Sequence, residues 1–167
     1  RIYGVSKGIA CFVSAVLVVV VSEWLDLMIL RLWGFPAVNM ENRIFMALGA
    51  FDEIGYSEWV YLYFAAMIFI KACCAGAFAE FALWLSTKIT NVFVTLAAPM
   101  LAYYVLNTLM MWLRMPSKFY PGMLSKGLSV FGGAGTTTLV TCGIFAAFGA
   151  VFLVLFTRSC RRRLENG

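Results

Sequence analysis

Four ionisable residues sit in or at the edge of long apolar stretches, where charge is expensive: Glu23, Asp26, Lys71 and Glu80. Lys71 is the sharpest of them. It falls mid-way along an otherwise apolar run, where an ionised group costs on the order of 3 kcal/mol on membrane-insertion scales, so it must face protein, water or a carboxylate. Glu80 is nine positions further along the same helix, two and a half turns away, and cannot reach it directly. Glu23 and Asp26, three positions apart on one helical face, are the other acidic candidates. Lys71, Glu23, Asp26 and Glu80 therefore make up a candidate intramembrane charge network lining or gating a translocation route. The competing reading of Lys71 is a snorkelling or paired structural lysine.

Catalysis has little to work with. The chain contains no histidine, the commonest general base and metal ligand. A membrane-embedded enzyme would have to gather Glu23, Asp26, Lys71 and Glu80 around one cavity, with no activated Ser or Cys arrangement to help. Cys11, Cys73, Cys74, Cys142 and Cys160 show no CxxC spacing and read as small buried side chains. Cys73 and Cys74, adjacent on a helix, project about 100° apart and do not make a redox pair. Gly132-Gly133-Ala134-Gly135 is followed by no GK[ST], so it reads as flexible backbone at the start of a span rather than a phosphate loop. Neither a Walker A nor a Walker B motif is present, so this chain is not expected to hydrolyse ATP by itself, and no catalytic, cofactor or metal site is assigned.

The elements that must position these residues follow from composition. The chain is 63% hydrophobic, 16% aromatic and 13% charged, with a mean hydropathy of +0.89, which excludes a water-soluble globular domain. Its net charge of +5 comes from scattered or terminal cations rather than a patch, which argues against nucleic-acid binding. A hydrocarbon core about 30 Å thick needs roughly 20 apolar residues in a helix, and four segments qualify: residues 8–32, 59–85, 89–113 and 130–157. The β-branched run at residues 16–21 would favour a strand in water. In lipid the backbone must bond to itself, so helix is expected. The fold class is thus all-α, a polytopic helical membrane protein with four visible spans.

Residues 1–7 are a short basic lead-in and residues 158–167 a basic tail, with a transmembrane domain at 8–157 between them. The second and third spans form a hairpin broken at residues 86–91, whose one cation is Lys88. Residues 33–55 are the longest polar interval; within it residues 44–51 read as an interfacial amphipathic piece, and Trp33, Tyr56, Trp59, Tyr61 and Tyr63 as an aromatic belt. Pro99 removes a backbone donor inside the third span and is expected to kink it. Residues 114–126 read as a segment dipping into the interface before the last span. Rows of small residues at Ala72, Gly76 and Glu80, at Ala75 and Ala79, and at Thr138, Cys142, Ala146 and Ala150 predict close helix packing, within the chain or against a second copy. Placing Arg1, Lys7, Lys88, Arg158, Arg161, Arg162 and Arg163 on one side leaves Arg31, Arg43, Arg114, Lys118 and Lys126 on the other. The tight cluster after the last span assigns the first group to the cytoplasm.

The order of these features carries a resemblance. The basic lead-in ends in Ser6-Lys7, and the long first span has acidic residues near its outer end. Then come Leu83-Trp84-Leu85-Ser86-Thr87-Lys88-Ile89-Thr90-Asn91 and a span with Ala98-Pro99 and Tyr103-Tyr104-Val105-Leu106-Asn107. Together they resemble the later part of the permease subunit of bacterial type-2 ABC exporters. The closing Arg161-Arg162-Arg163-Leu164-Glu165-Asn166-Gly167 is similar to the basic tail on which many such subunits end. The resemblance implies a six-helix permease of which these are the last four helices, with two further spans before Arg1. It implies residence in the bacterial plasma membrane, both ends cytoplasmic, pairing with a second permease subunit as homo- or heterodimer, and drive by a separate ABC ATPase. It also implies that residues 1–7 end a coupling segment, making Arg1, Tyr3 and Lys7 candidates for the ATPase contact, and that the region before the last helix is re-entrant. A reading from another class is a small non-catalytic membrane protein, a peptide-immunity factor or pore-forming subunit, acting without an ATPase.

Overall fold

The computed structural model describes residues 2–33, 49–55 and 60–165. Among them every regular element is helical: α1 (Ile2–Leu32), a 3-10 turn (Gly49–Phe51) running into α2 (Asp52–Gly55), α3 (Val60–Ser86), α4 (Val92–Trp112), a second 3-10 turn (Ser117–Phe119), α5 (Pro121–Ser125) and α6 (Ala134–Glu165). Four of these helices are long and apolar enough to cross a membrane, over Gly4–Leu32, Tyr61–Ser86, Val92–Trp112 and Ala134–Arg162. The protein is an all-α, polytopic helical membrane protein, as composition and span length require. The interfacial piece expected at residues 44–51 and the belt residues Tyr56 and Trp59 fall largely or wholly outside the described residues.

Two helices run past the spans read from the sequence. Helix α1 already starts at Ile2, within the residues read as the lead-in. The basic tail likewise continues α6 as far as Glu165, giving a 32-residue helix. At 1.5 Å per residue such a helix is about 48 Å long, roughly three turns more than a 30 Å hydrocarbon core needs. Its last turns, where the arginines are, thus extend past the apolar layer.

Helix α3 is the hub, packed by α1, α6 and α4. Its small residues explain why. Ala72, Gly76 and Ala77 are buried, and a side chain on Gly76 would meet the Phe12 ring of α1 at 2.7 Å. Gly149 of α6 lies against Ala77 in ordinary contact, 3.4 Å from an added Cβ to the Ala77 Cα. Absent side chains let the backbones approach, and van der Waals contact holds helices together where lipid offers no hydrophobic contrast. The row at Ala72, Gly76 and Glu80 is buried as predicted, whereas Ala75 and Ala79 are half-buried. The row on α6 is not where it was expected: Thr137, Thr141, Phe145 and Gly149 are buried, whereas Ala146 and Ala150 are exposed. The reason is volume, since Phe145 fills the space beside Cys73, Cys74 and Ala77 that small residues alone would leave empty.

Aromatic rings complete the α3–α6 seam. Phe78 stacks on Phe148 (5.5 Å between centroids), Phe148 on Phe152 (4.8 Å), and Phe152 on both Phe81 (5.0 Å) and Trp84 (5.5 Å). Tyr103 of α4 joins edge-on to Phe78 at 5.8 Å. Helix α4 is peripheral and has no buried residue, with Phe93, Leu96, Met100, Tyr104 and Trp112 turned outward. It starts at Asn91, whose side chain accepts hydrogen bonds from the amides of Phe93 (2.9 Å) and Val94 (3.3 Å), and it continues through Pro99.

The segment between α4 and α6 turns back along α4. The Tyr103 and Ser125 hydroxyls are 2.8 Å apart, and Gly122 N–H donates to Asn107 Oδ1 at 3.1 Å. Tyr103 is nine residues from the end of α4, so at 1.5 Å per residue α5 reaches about 13 Å down that helix. Leu124 accordingly sits in the core cluster with Cys73, Cys74 and Phe78. The sequence suggested a re-entrant or interfacial segment here; the structure folds it back on α4 and into the core of the bundle. Gly127, at φ +66°, allows the return: a side chain there would overlap Met67 and be strained in any case.

Candidate intramembrane ion pair and its surroundings

The antiparallel run of α1 against α3 places Glu23 nine residues from the Leu32 end of α1 and Lys71 eleven residues from the Val60 end of α3. Both lie about 14–17 Å inside their helices, well away from either end. Lys71 Nζ donates to Glu23 Oε1 at 2.8 Å. Lys71 thus has the carboxylate partner its position demands, and that partner is on the neighbouring helix. Asp26, one turn further on, is exposed and takes no part in the pair.

The pair is not sealed. The side chains of Lys71 and Glu23 retain 42% and 33% of their accessible surface. A charge pair gains most from its Coulomb attraction when water is excluded, yet here one flank is open. Nearby on α1, Trp24, Leu25 and Met28 are exposed. The arrangement can hold a fixed dipole within the apolar layer, and with the exposed Asp26 one turn on it offers a polar foothold on a largely apolar helix.

Glu80 is placed apart from this pair. It is 2% exposed, and neither carboxyl oxygen has a hydrogen-bonding partner. Of the four sequence candidates the structure thus joins two, Lys71 and Glu23, and separates Asp26 and Glu80 from them. Among the described residues no three His, Cys, Asp or Glu side chains converge as a metal site would require. Cys73 and Cys74 are free thiols in the core, and Cys11 Sγ lies 3.9 Å from the Ala79 carbonyl, a packing contact.

Of the candidate ATPase contacts, Lys7 is exposed near the start of α1; Arg1 and the Tyr3 side chain lie outside the described residues. Gly4 packs on Thr157 and Gly8 on Leu153, so the start of α1 and the end of α6 are neighbours. Because α3 and α6 run parallel through the aromatic seam, Lys7, Lys88, Arg158, Arg161 and Arg162 collect at one end of the bundle. At the other end Arg31 lies over the Tyr61 ring at 5.9 Å and Lys118 over Phe119 at 5.4 Å. These described cations fall at the ends of the bundle to which the loop count assigned them; Arg1 and Arg43 lie outside the described residues.

Tyr103, Asn107, Ser125, Ser129 and Thr137 were missed by sequence reasoning. They satisfy the backbone and one another around the re-entrant segment: Ser129 Oγ donates to the Lys118 carbonyl (2.8 Å), and Phe131 N–H to Thr137 Oγ1 (3.2 Å). The available signal was the placement of hydroxyls and an amide inside apolar helices beside an irregular interval, since non-helical backbone at membrane depth must be satisfied by protein. No protein-family model matches the chain, and neither the curated proteins nor the solved structures contain a match.

Proposed function

We propose that the chain is a membrane-embedded permease unit of an ATP-driven exporter of the type-2 ABC class. In this reading it works with a second permease subunit and is powered by a separate ATPase. The observation that carries the reading is the half-open Lys71–Glu23 pair. Charge left facing lipid at this depth is costly, so the α1–α3 face calls for a covering that tolerates polarity, either a second subunit or a water-lined route. Helix α4, without a buried residue, supplies a second face for lipid or a partner subunit. The cations gathered at one end of the bundle support a cytoplasmic location for that end in the plasma membrane. There Lys7, the Lys88 turn and the end of α6 would meet the ATPase, and rocking of packed helices would carry its work across the membrane.

Purification from native membranes in a mild detergent tests the reading. A nucleotide-binding subunit is expected to accompany the chain, and its ATP turnover is expected to change several-fold when the two are reconstituted together. A chain that purifies alone, or that leaves ATP turnover unaltered, would favour a small membrane protein acting without an ATPase.

A further inference from the structure

Glu80 is the one fully enclosed carboxyl among the described residues, and the ion pair does not use it. Its side chain points into the junction of α1, α3 and α6, where Gly8 leaves room for it: a Cβ on Gly8 would stand 3.4 and 3.5 Å from the two carboxyl oxygens and would overlap the Leu153 side chain. Gly8 of α1 and Leu153 of α6 thus border this site, and the Cys11 thiol, one turn along α1, is close enough to interact with the Glu80 charge. Neither oxygen has a partner.

The charged and titratable groups on the packed elements do not compensate it. On α1, Lys7 is exposed and makes no ion pair with Glu80, and Cys11 sits against the Ala79 carbonyl. On α6, Thr157 packs on Gly4 and Arg158 is exposed. On α3, Lys71 is taken by Glu23. The facing turns of α4, residues 92–100, contain no titratable side chain. A buried carboxyl without hydrogen-bond donors or a counter-charge is costly to enclose. A metal ion would need several oxygen, nitrogen or sulfur donors, and among the described residues no such group gathers here.

We propose that Glu80 is a proton-binding site that makes the packing of α1 on α3 and α6 depend on proton activity at the basic end of the bundle. With the proton bound, the neutral carboxyl fits the pocket beside Gly8. When the proton leaves, the carboxylate must draw in Lys7 or water, and either requires the start of α1 to move off α3 and α6. The site is independent of the Lys71–Glu23 pair and of the exporter reading.

The experiment uses the full chain in lipid nanodiscs. Infrared spectra with carbon-13-labelled glutamate are compared between the wild type and Glu80→Gln. At neutral pH the wild type is expected to show a protonated-carboxyl stretch that Glu80→Gln removes. Dicyclohexylcarbodiimide, which modifies protonated carboxyls in apolar surroundings, is expected to add to the Glu80 peptide of the wild type, an observation that needs no folded variant. The folded state holds a proton that the unfolded chain releases, so wild-type thermal stability is expected to fall as pH rises, while Glu80→Gln stays level. An ionised Glu80 at neutral pH, absence of the carbodiimide adduct, or a carboxylate signal lost with Lys7→Gln would each overturn the proposal; the last would identify an ion pair instead.

Discussion

Lys71 illustrates how a single residue type constrains its neighbours. Its ammonium group requires a counter-charge at membrane depth, and only another helix can provide one, because Glu80 is out of reach along its own. The partner is Glu23, 2.8 Å away. Removing one member leaves the other unpaired, which is more damaging than removing both. Lys71→Met is expected to lower resistance to a denaturing detergent by about 1–2 kcal/mol, less than for a sealed pair because this one is partly open. Adding Glu23→Gln is expected to restore most of the loss, as a double-mutant cycle in mixed micelles would measure. If the pair also lines a transport route, Lys71→Met reduces transport as well; a variant with assembly and transport both intact would remove that role.

At the scale of elements, the re-entrant segment has the most specific construction. Irregular backbone cannot face lipid, and here Asn107 and its neighbours stand in for water. Asn107→Ala leaves the Gly122 amide without an acceptor, at an expected cost of about 1–3 kcal/mol. Faster hydrogen exchange is expected around α5, with the exchange of α1, α3 and the middle of α6 unchanged; uniform acceleration throughout would contradict a local role. The four long helices were legible in the sequence because span length and the absence of charge are properties of the chain itself. The identity of the buried face was less so. On α6 the interior row is Thr137, Thr141, Phe145 and Gly149, one position away from the row of small residues, because a bundle packs by volume and a phenylalanine can occupy what several alanines cannot. The Lys71–Glu23 pairing was narrowed by sequence to a few acids, but choosing among them needed the register of α1 against α3. The burial of Glu80 depends on a glycine 72 positions away and had no local signal.

For the whole molecule, the hub arrangement around α3 brings the basic residues of three chain segments to one end and those of two intervening segments to the other. In the exporter reading, that partition determines which end an ATPase would approach. It also makes a prediction that does not depend on any one contact. The most direct measurement is the reaction of a membrane-impermeant maleimide with single cysteines placed at Lys88 and at Lys118, in chains whose five native cysteines are replaced by serine or alanine. In intact cells Lys118→Cys is expected to react at once and Lys88→Cys only after the membrane is permeabilised. Labelling of both from the same side, or of Lys88→Cys from outside, would contradict the four-span, basic-end-inward arrangement on which the exporter reading rests.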